Sequence, residues 1–167
     1  MDENQISLLL SVVAILISLL TFILWNRDRK KTPGDSSFST RPLQLQAYER
    51  LVLLTERISI PNLISRANQP GLNAREMQTL LIESIKQEFE YNASQQIYVS
   101  PVAWGAVRDL KEQNMLIINQ VSSFLPEDAK GIDLNKTLLD YVMTQQKGTL
   151  HTIVLEAINY EAKKIMK

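Results

Sequence analysis

The chain has 167 residues, and its 18 Lys and Arg balance its 18 Asp and Glu, so the formal net charge is zero. A neutral chain lacks the positive surface that non-specific nucleic-acid binding requires, and we predict no nucleic-acid partner. The absence of cysteine excludes disulfides, thiolate metal sites and cysteine nucleophiles. The length that remains after an apolar N-terminal segment suits one domain better than two.

That N-terminal segment, residues 6–25, reads ISLLLSVVAILISLLTFILW and contains no charged side chain. Twenty residues at a helical rise of about 1.5 Å span about 30 Å, the thickness of the hydrocarbon core of a bilayer. Trp25 ends the run, where an aromatic ring suits the membrane interface. We therefore predict one transmembrane helix over residues 6–25, with lipid as its partner and residues 1–5 as a short extracytoplasmic N-terminus.

The charges on the two sides of this segment predict its orientation. Asp2 and Glu3 precede it, and positive residues tend to stay in the cytoplasm. We predict an N-terminus outside the cell and a soluble domain in the cytoplasm. The flank either contacts anionic headgroups as well or serves only as a stop-transfer signal. A cleaved signal peptide is the alternative, but it needs basic residues before the run and a small-residue cleavage site after it. The basic flank consists of Arg27, Arg29, Lys30 and Lys31.

Small residues recur on one face of the predicted transmembrane helix at spacings of four and three. Small side chains let two helices approach closely, and hydroxyl groups can bond across the contact. The pattern favours a packing face for a second copy of the chain or for another membrane protein. Chance is the alternative, because serine and alanine are common in such helices. The packing face consists of Ser7, Ser11, Ala14, Ser18 and Thr21.

The rest of the chain divides into a linker and a helical domain. Residues 26–42 combine the basic flank with Pro, Gly, Ser and Thr and show no apolar periodicity, which predicts a flexible linker. In residues 43–167, apolar positions recur at helical spacing and no strand-like alternation is present. We predict an all-α fold with one N-terminal transmembrane helix, a flexible linker and a cytoplasmic bundle of about four to five helices.

The first two helices of the domain have clear boundaries in the sequence. Apolar spacing predicts a first helix over about residues 42–59, in which Leu53 and Leu54 widen the apolar surface and favour a central position in the bundle. Asn73 begins a second helix, and Glu76 three residues later predicts a capping box there.

The later helices also have start signals. Residues 96–99 are predicted to be extended, and Ser100 with the following proline predicts the start of the third helix. Asp133 and Thr149 are predicted to cap the fourth and fifth helices.

A repeat of 3.5 residues runs along the third helix and is typical of a bundle seam. Asn114 lies within this seam. If it is buried, its amide would fix the register of the helices or the choice of partner; if the seam rotates, the amide meets water instead. The seam consists of Ala103, Val107, Leu110, Asn114, Ile117, Val121 and Phe124.

Trp104 lies off this seam, with Arg108 one helical turn later. An exposed Trp beside an Arg is a candidate anchor for a protein partner. Packing of Trp104 into the core is the alternative. Together with Asn114, these residues are the candidates for partner binding.

No residue pattern predicts catalysis. His151 is the sole histidine and stands at a helix start, which favours a surface or packing role. Glu83, Glu88 and Glu90 lie near Lys86 on one helix, which favours a solvated face with ion pairs. Calcium loops, glycine-rich phosphate loops and the hydrolase G-x-S-x-G motif are missing. We predict no catalytic, metal-binding or cofactor-binding residues, no cofactor and no small-molecule substrate.

Two stretches of the domain resemble an uncharacterised family of small single-pass membrane proteins from Bacteroidota. They read RPLQLQAYERLVLLTERISIPNLISR and QPGLNAREMQTLLIESIKQEFEYNASQQIYVSPVAWGAVRDLKE. The resemblance covers most of residues 41–112 and is weaker from residue 113 onward. It implies a bacterial inner-membrane setting, and it carries over no catalytic residue.

Three functional hypotheses follow from these patterns. The first is a membrane-anchored cytoplasmic interaction module, an adaptor or accessory subunit of an inner-membrane complex. The second is a homo-oligomeric structural protein that uses the packing face to self-associate. The third is an enzyme with an unrecognised carboxylate site, which predicts a concave pocket with converging acidic side chains.

Overall fold

The computed structural model describes residues 14–15, 17–25, 40–144 and 149–166. The chain divides into two compact units, Met1–Ser39 and Thr40–Lys167. The described residues of the first unit are helical up to Trp25. Within the described ranges, no helix combines the length and the apolar character that crossing a membrane requires. The remainder of the predicted span and nearly all of the predicted linker lie outside the described residues.

The described part of the second unit is helical, which confirms the all-α class. It contains six α-helices, whereas four to five were predicted, because the helix is interrupted at Ser59. That residue has extended backbone angles (φ −61°, ψ 137°), and Pro61 stands in the first turn of the next helix. The α-helices are α1 (Arg41–Ile58), α2 (Ile60–Ala67), α3 (Ala74–Tyr91), α4 (Pro101–Ser123), α5 (Gly131–Thr144) and α6 (Leu150–Met166).

Three of the predicted helix starts are confirmed. Asn73 and Glu76 form a reciprocal capping box, in which each backbone N–H donates to the other residue's side chain at 2.9 Å. Ser100 Oγ accepts from the backbone N–H three residues later at 3.0 Å. Thr149 Oγ1 accepts from the N–H three residues later at 3.4 Å. These caps satisfy donors that a helix leaves free at its start.

Two other local predictions are wrong. The residues between α3 and α4 are not extended, because Ala93–Ile97 forms a 3₁₀ helix. Asp133 does not precede its helix, because α5 begins at Gly131. The Asp133 carboxylate instead reaches back to accept from the N–H of Lys130 at 2.9 Å, as an acidic residue in the first turn can.

The core of the bundle lies around α1, which packs against the 3₁₀ helix and against α2, α3, α4 and α6. The central position predicted for this helix is confirmed, but of the two leucines that suggested it only Leu54 is buried, and Leu53 is 54% exposed. The largest fully buried side chains are Leu51, Leu54, Ile58, Leu63, Met77, Leu81, Ile85, Leu110, Ile118, Leu134, Leu138 and Ile158.

The buried face of α4 departs from the predicted seam in its second half. Ile118 is buried in place of Ile117, and Phe124 is exposed. The buried positions from Ala103 to Val121 take five steps over 18 residues, a mean of 3.6. This is the period of a straight α-helix, and a strict 3.5 repeat drifts out of phase with it.

Candidate functional site

Part of the predicted packing face lies among the described residues. Ala14, Ser18 and Thr21 are helical, and their spacing places them on one face. The Thr21 hydroxyl donates within its own helix, with Ile17 O at 3.0 Å and Ser18 O at 2.9 Å. Its proton is therefore satisfied without a partner helix. Ser7, Ser11 and the basic flank of Arg27, Arg29, Lys30 and Lys31 lie outside the described residues.

Trp104 packs against its own chain. It is partly buried, and its ring centroid lies 4.9 Å from that of Phe89 on α3. Lys111 Nζ lies 4.7 Å from the Phe89 centroid, so an aromatic pair and a cation share this contact. Arg108 is exposed, with its Nε 3.5 Å from Asp109. Of the predicted Trp–Arg pair, only the arginine faces solvent.

Asn114 is buried and connects two helices. Its Nδ2 donates to the backbone carbonyl of Ile58 at 2.8 Å. Ile58 is the last residue of α1, and the last carbonyls of a helix accept no hydrogen bond from that helix. The amide therefore fixes α4 against the end of α1. Because Asn114 is buried and Arg108 is exposed, the candidates for partner binding do not form one surface.

Other side chains satisfy the remaining carbonyls at this helix end. Arg66 Nη2 donates to Arg57 O at 2.8 Å. Glu56 O accepts from Ser59 Oγ at 2.8 Å and from Asn62 Nδ2 at 3.0 Å. The end of a helix carries partial negative charge, and these donors neutralise it locally. Side chains of α2 and α4 thus build the break between α1 and α2.

A cavity of about 330 Å³ lies against this break. Residues from α1, α2, α4, α5 and α6 line it, and its walls are mostly apolar. A volume of this order suits one large side chain or a small ligand. Residues 145–148, which connect two of the lining segments, lie outside the described residues. Its lining includes Glu56, Ile60, Leu110, Asn114, Val142 and His151.

His151 supplies the unusual feature of this cavity. Its Nε2 lies 3.6 Å from Glu56 Oε2, and it is buried without a hydrogen-bond partner among the described residues. Glu56 Oε2 itself accepts from Asn62 Nδ2 at 3.2 Å. A buried polar atom without a partner is uncommon in folded proteins and needs an explanation. The surface or packing role predicted for His151 does not account for it.

The arrangement is suited to recognition. Apolar walls and one imidazole edge would hold an apolar group that carries a hydrogen-bonding atom. Because Nε2 has no partner, no described hydroxyl lies within hydrogen-bonding distance to form a nucleophile–base pair. Glu56 is the one carboxylate in the lining. Across the described ranges, no three His, Asp or Glu side chains converge in a way that would hold a metal ion.

Two acidic residues of α3, Glu83 and Glu88, form ion pairs. Glu83 Oε1 lies 2.8 Å from Lys86 Nζ, and this hydrogen bond raises the pKa of Lys86. Glu88 Oε1 lies 2.9 Å from Arg57 Nη2 and 3.0 Å from Arg66 Nη1. Glu88 therefore joins α3 to the ends of α1 and α2. Because Glu88 is less exposed than Glu83, its ion pairs should contribute more to stability than the pair of Glu83 and Lys86.

A second polar cluster lies toward the other end of α1. Tyr48 Oη and Ser100 Oγ each donate to Glu161 Oε2 at 2.6 Å, and the Ser100 N–H donates to Tyr48 Oη at 3.0 Å. Burial, followed by the hydrogen bond to Glu161, raises the pKa of Tyr48. The three residues satisfy one another and join α1, α4 and α6, so we define them as the tyrosine cluster.

Sequence reasoning missed one exposed surface. The end of α3, the 3₁₀ helix and the start of α4 expose Tyr91, Ile97 and Val102, at 76%, 73% and 72%. The signal was available, because residues 91–107 contain no charged residue and no histidine. We define the uncharged surface as Tyr91, Ile97, Tyr98 and Val102.

The model of a protein family, described as a family of unknown function (DUF7935), matches residues 4–165. No curated protein and no solved structure matches the chain.

Proposed function

The chain belongs to DUF7935, a family of unknown function, and we propose that it is a membrane-anchored helical interaction module. In this proposal it is an adaptor or accessory subunit of a bacterial inner-membrane complex. Its helical unit acts on the cytoplasmic face, and catalysis is not part of its role.

The anchoring half of the proposal is supported by the sequence. Residues 6–25 are uncharged and long enough to span a hydrocarbon core, and basic residues follow them. The family match begins at residue 4 and continues through the bundle, so one family pattern includes both parts. This supports an apolar segment that belongs to the working protein.

The interaction half rests on one observation, the cavity at the break between α1 and α2. Its apolar walls surround a buried imidazole nitrogen that lies 3.6 Å from the Glu56 carboxylate and has no hydrogen-bond partner among the described residues. A partner that inserts an apolar side chain next to a polar atom would fill the volume and satisfy His151. Side chains that fill such pockets carry much of the affinity of protein interfaces.

Anchoring and orientation can be tested together, because the chain has no cysteine. We would place a single cysteine at Asn4 or at Ile132 and treat intact cells with a membrane-impermeant maleimide. We expect the Asn4→Cys variant to react at once, and the Ile132→Cys variant to react only after the cells are permeabilised. Alkaline carbonate should leave both variants in the membrane. Extraction into the soluble fraction would exclude anchoring, and the reverse labelling pattern would exclude the orientation.

The interaction is tested by site-specific crosslinking in membranes. Gln113 lines the cavity and is exposed, whereas Gln120 is exposed on the same helix outside it. We expect a photoreactive residue at Gln113 to crosslink to one partner in stoichiometric yield, and the same residue at Gln120 to give little product. Replacing His151 by Leu should reduce the Gln113 product several-fold. Equal products at both positions, or none, would count against the cavity as the binding site.

Self-association is a second candidate function. It is supported by the small residues Ala14, Ser18 and Thr21 on one helical face. Ala14→Leu and Ser18→Leu together should abolish a homodimer detected by crosslinking in membranes. Leu19→Ile is the matched control, since Leu19 is one position away from Ser18 and off this face. A dimer that survives the double change would exclude this face as the contact.

A further inference from the structure

Three helices meet at one end of the bundle, which we define as the near end. Ser100 at the start of α4 donates to Tyr48 in α1, and Tyr48 donates to Glu161 in the last turns of α6. The first residue of α1, the start of α4 and the last residue of α6 therefore lie toward the same end. The uncharged surface also lies there, since Tyr91 and Tyr98 line a shallow depression together with Leu43 and Arg50 of α1. The rest of its lining is polar: Gln46, Ser94 and Gln95.

The near end differs from the far end, where α4 ends and α5 begins. Exposed apolar side chains occur at both ends, and Phe124 and Ile132 of the far end are 86% and 67% exposed. Those two residues stand beside charged neighbours, because Glu127, Asp128 and Lys130 lie between them. The uncharged surface has no such neighbours over residues 91–107. Exposed apolar side chains that stand among charged residues are better tolerated by water than exposed apolar side chains in a stretch without charge.

Basic and aromatic side chains occur on the elements that meet at the near end, together with the exposed carboxylate of Glu49 and the partly buried carboxylate of Glu161. Arg41 begins α1, and Lys163 and Lys164 are exposed near the end of α6. Tyr160 is exposed, with Lys164 Nζ 4.4 Å from its ring centroid. Tyrosine with aliphatic residues and a basic rim is the composition that membrane interfaces favour. The exposed carboxylate that directly precedes the uncharged surface is Glu90.

The covalent path of the chain points in the same direction. Residues 26–40 connect the apolar segment to the start of α1 at the near end. Fifteen residues reach at most about 50 Å when fully extended. A bilayer that holds the apolar segment would therefore always lie within this distance of the near end.

We propose that the uncharged surface and its basic rim bind the headgroup region of an anionic lipid bilayer. The inference rests on the proposed anchoring and adds a second contact with the same membrane. Tyr91 and Tyr98 would lie among the headgroups, and Ile97 and Val102 would insert below them. Lys163, Lys164 and Arg41 would pair with lipid phosphates. The bundle then meets the membrane with a fixed end, and the cavity keeps a fixed orientation toward its partner.

Single-cysteine variants test this contact in the full chain. The variants Ile97→Cys and Val102→Cys, with Phe124→Cys and Ile132→Cys as matched far-end controls, would each carry an environment-sensitive fluorophore in reconstituted vesicles. In phosphatidylcholine with phosphatidylglycerol, we expect the near-end labels to emit at shorter wavelength. A lipid-borne quencher should quench them several-fold more than the control labels. Without phosphatidylglycerol, the difference between near-end and control labels should shrink.

The outcomes separate this inference from the anchoring on which it rests. A label at Leu19→Cys that lipid does not quench would overturn both. If that label is quenched while the labels at 97 and 102 behave like those at 124 and 132, only the headgroup contact is overturned. Equal quenching in the two lipid mixtures would overturn the role of the basic rim. Near-end labels that are shielded in native membranes but not in pure lipid would show that a protein covers this surface instead.

Discussion

Side chains from other helices hold α1 near both of its ends, but the two regions differ in how their buried polar groups are satisfied. In the tyrosine cluster, Tyr48, Ser100 and Glu161 satisfy one another. At the break between α1 and α2, the helix carbonyls are satisfied, yet His151 Nε2 and Thr55 Oγ1 are buried without partners among the described residues.

The tyrosine cluster supports the fold, whereas the break between α1 and α2 is suited to recognition. A closed polar network of this kind supports the fold and offers no free donor to a ligand, because the hydroxyls of Tyr48 and Ser100 and the Ser100 N–H all donate within it. An unpartnered buried group lowers stability, and its presence beside a cavity indicates a site that something else completes. Variants at the closed contacts should therefore lose more stability than a variant at the open site.

The largest effect is expected at Asn114, whose amide satisfies the carbonyl at the end of α1. Asn114→Ala leaves that carbonyl buried without a donor, which should lower the free energy of unfolding by about 3 kcal/mol. Chemical denaturation of the full chain, followed by circular dichroism, measures this loss. Asn119→Ala is the control, since Asn119 is an exposed amide on the same helix that accepts from Gln78 at 2.7 Å. Equal losses at both positions would show that the carbonyl does not depend on Asn114.

The tyrosine cluster should lose less when one member is changed. Tyr48→Phe keeps the ring and removes the hydroxyl that bridges Ser100 and Glu161. We expect a loss of about 2 kcal/mol in the free energy of unfolding, because one hydrogen bond to a charged group disappears. Tyr160→Phe, at an exposed position, should change stability by less than about 0.5 kcal/mol. A Tyr48→Phe variant as stable as the native chain would mean that the cluster is incidental to the fold.

The same cluster gives a pH signature. Burial and the bond to Glu161 raise the pKa of Tyr48 above 10.0, so the folded chain keeps this proton more tightly than the unfolded chain. The resulting stabilisation is fully present below pH 10 and is lost as pH rises through the raised pKa. Thermal unfolding should therefore show a decline above pH 10 that is smaller in Tyr48→Phe. Parallel declines in the two proteins would assign the effect to other groups.

A substitution of His151 should not lower the free energy of unfolding, in contrast to the substitutions of Asn114 and Tyr48. His151→Leu removes a buried nitrogen that has no partner and adds apolar volume to the cavity wall. We expect stability to stay constant or to rise by up to about 1 kcal/mol, while crosslinking of a partner at Gln113 falls. Thermal unfolding and crosslinking of the same preparations measure both. A large loss of stability would show that His151 is a structural residue like Asn114.

Three helix starts were predictable because their causes are local. Asn73 and Glu76, three residues apart, satisfy each other's backbone, and the pattern is visible in the sequence. Helix phase was less predictable. Ile117 and Ile118 are both apolar, and only the period of the packed helix decides which one is buried.

The candidate site could not be predicted in the same way. Asn114 and Ile58 are 56 residues apart in sequence, and His151 and Glu56 are further apart still. No local pattern relates them, since tertiary packing alone brings them together. The uncharged run at residues 91–107 was a local signal, but it contains the buried Val99, Ala103 and Val107 as well as the uncharged surface, so it did not predict exposure.

The smallest expected effect lies midway along α1, between the two regions compared above. Leu53 is 54% exposed, whereas Leu54 is buried. Leu53→Ser should change the free energy of unfolding by less than about 0.5 kcal/mol, and Leu54→Ala should cost about 3 kcal/mol. Denaturation of both variants in the full chain measures the difference. If Leu53→Ser proves as costly as Leu54→Ala, another helix covers Leu53 in the working protein, and α1 then contacts its partner along its length as well as at the cavity.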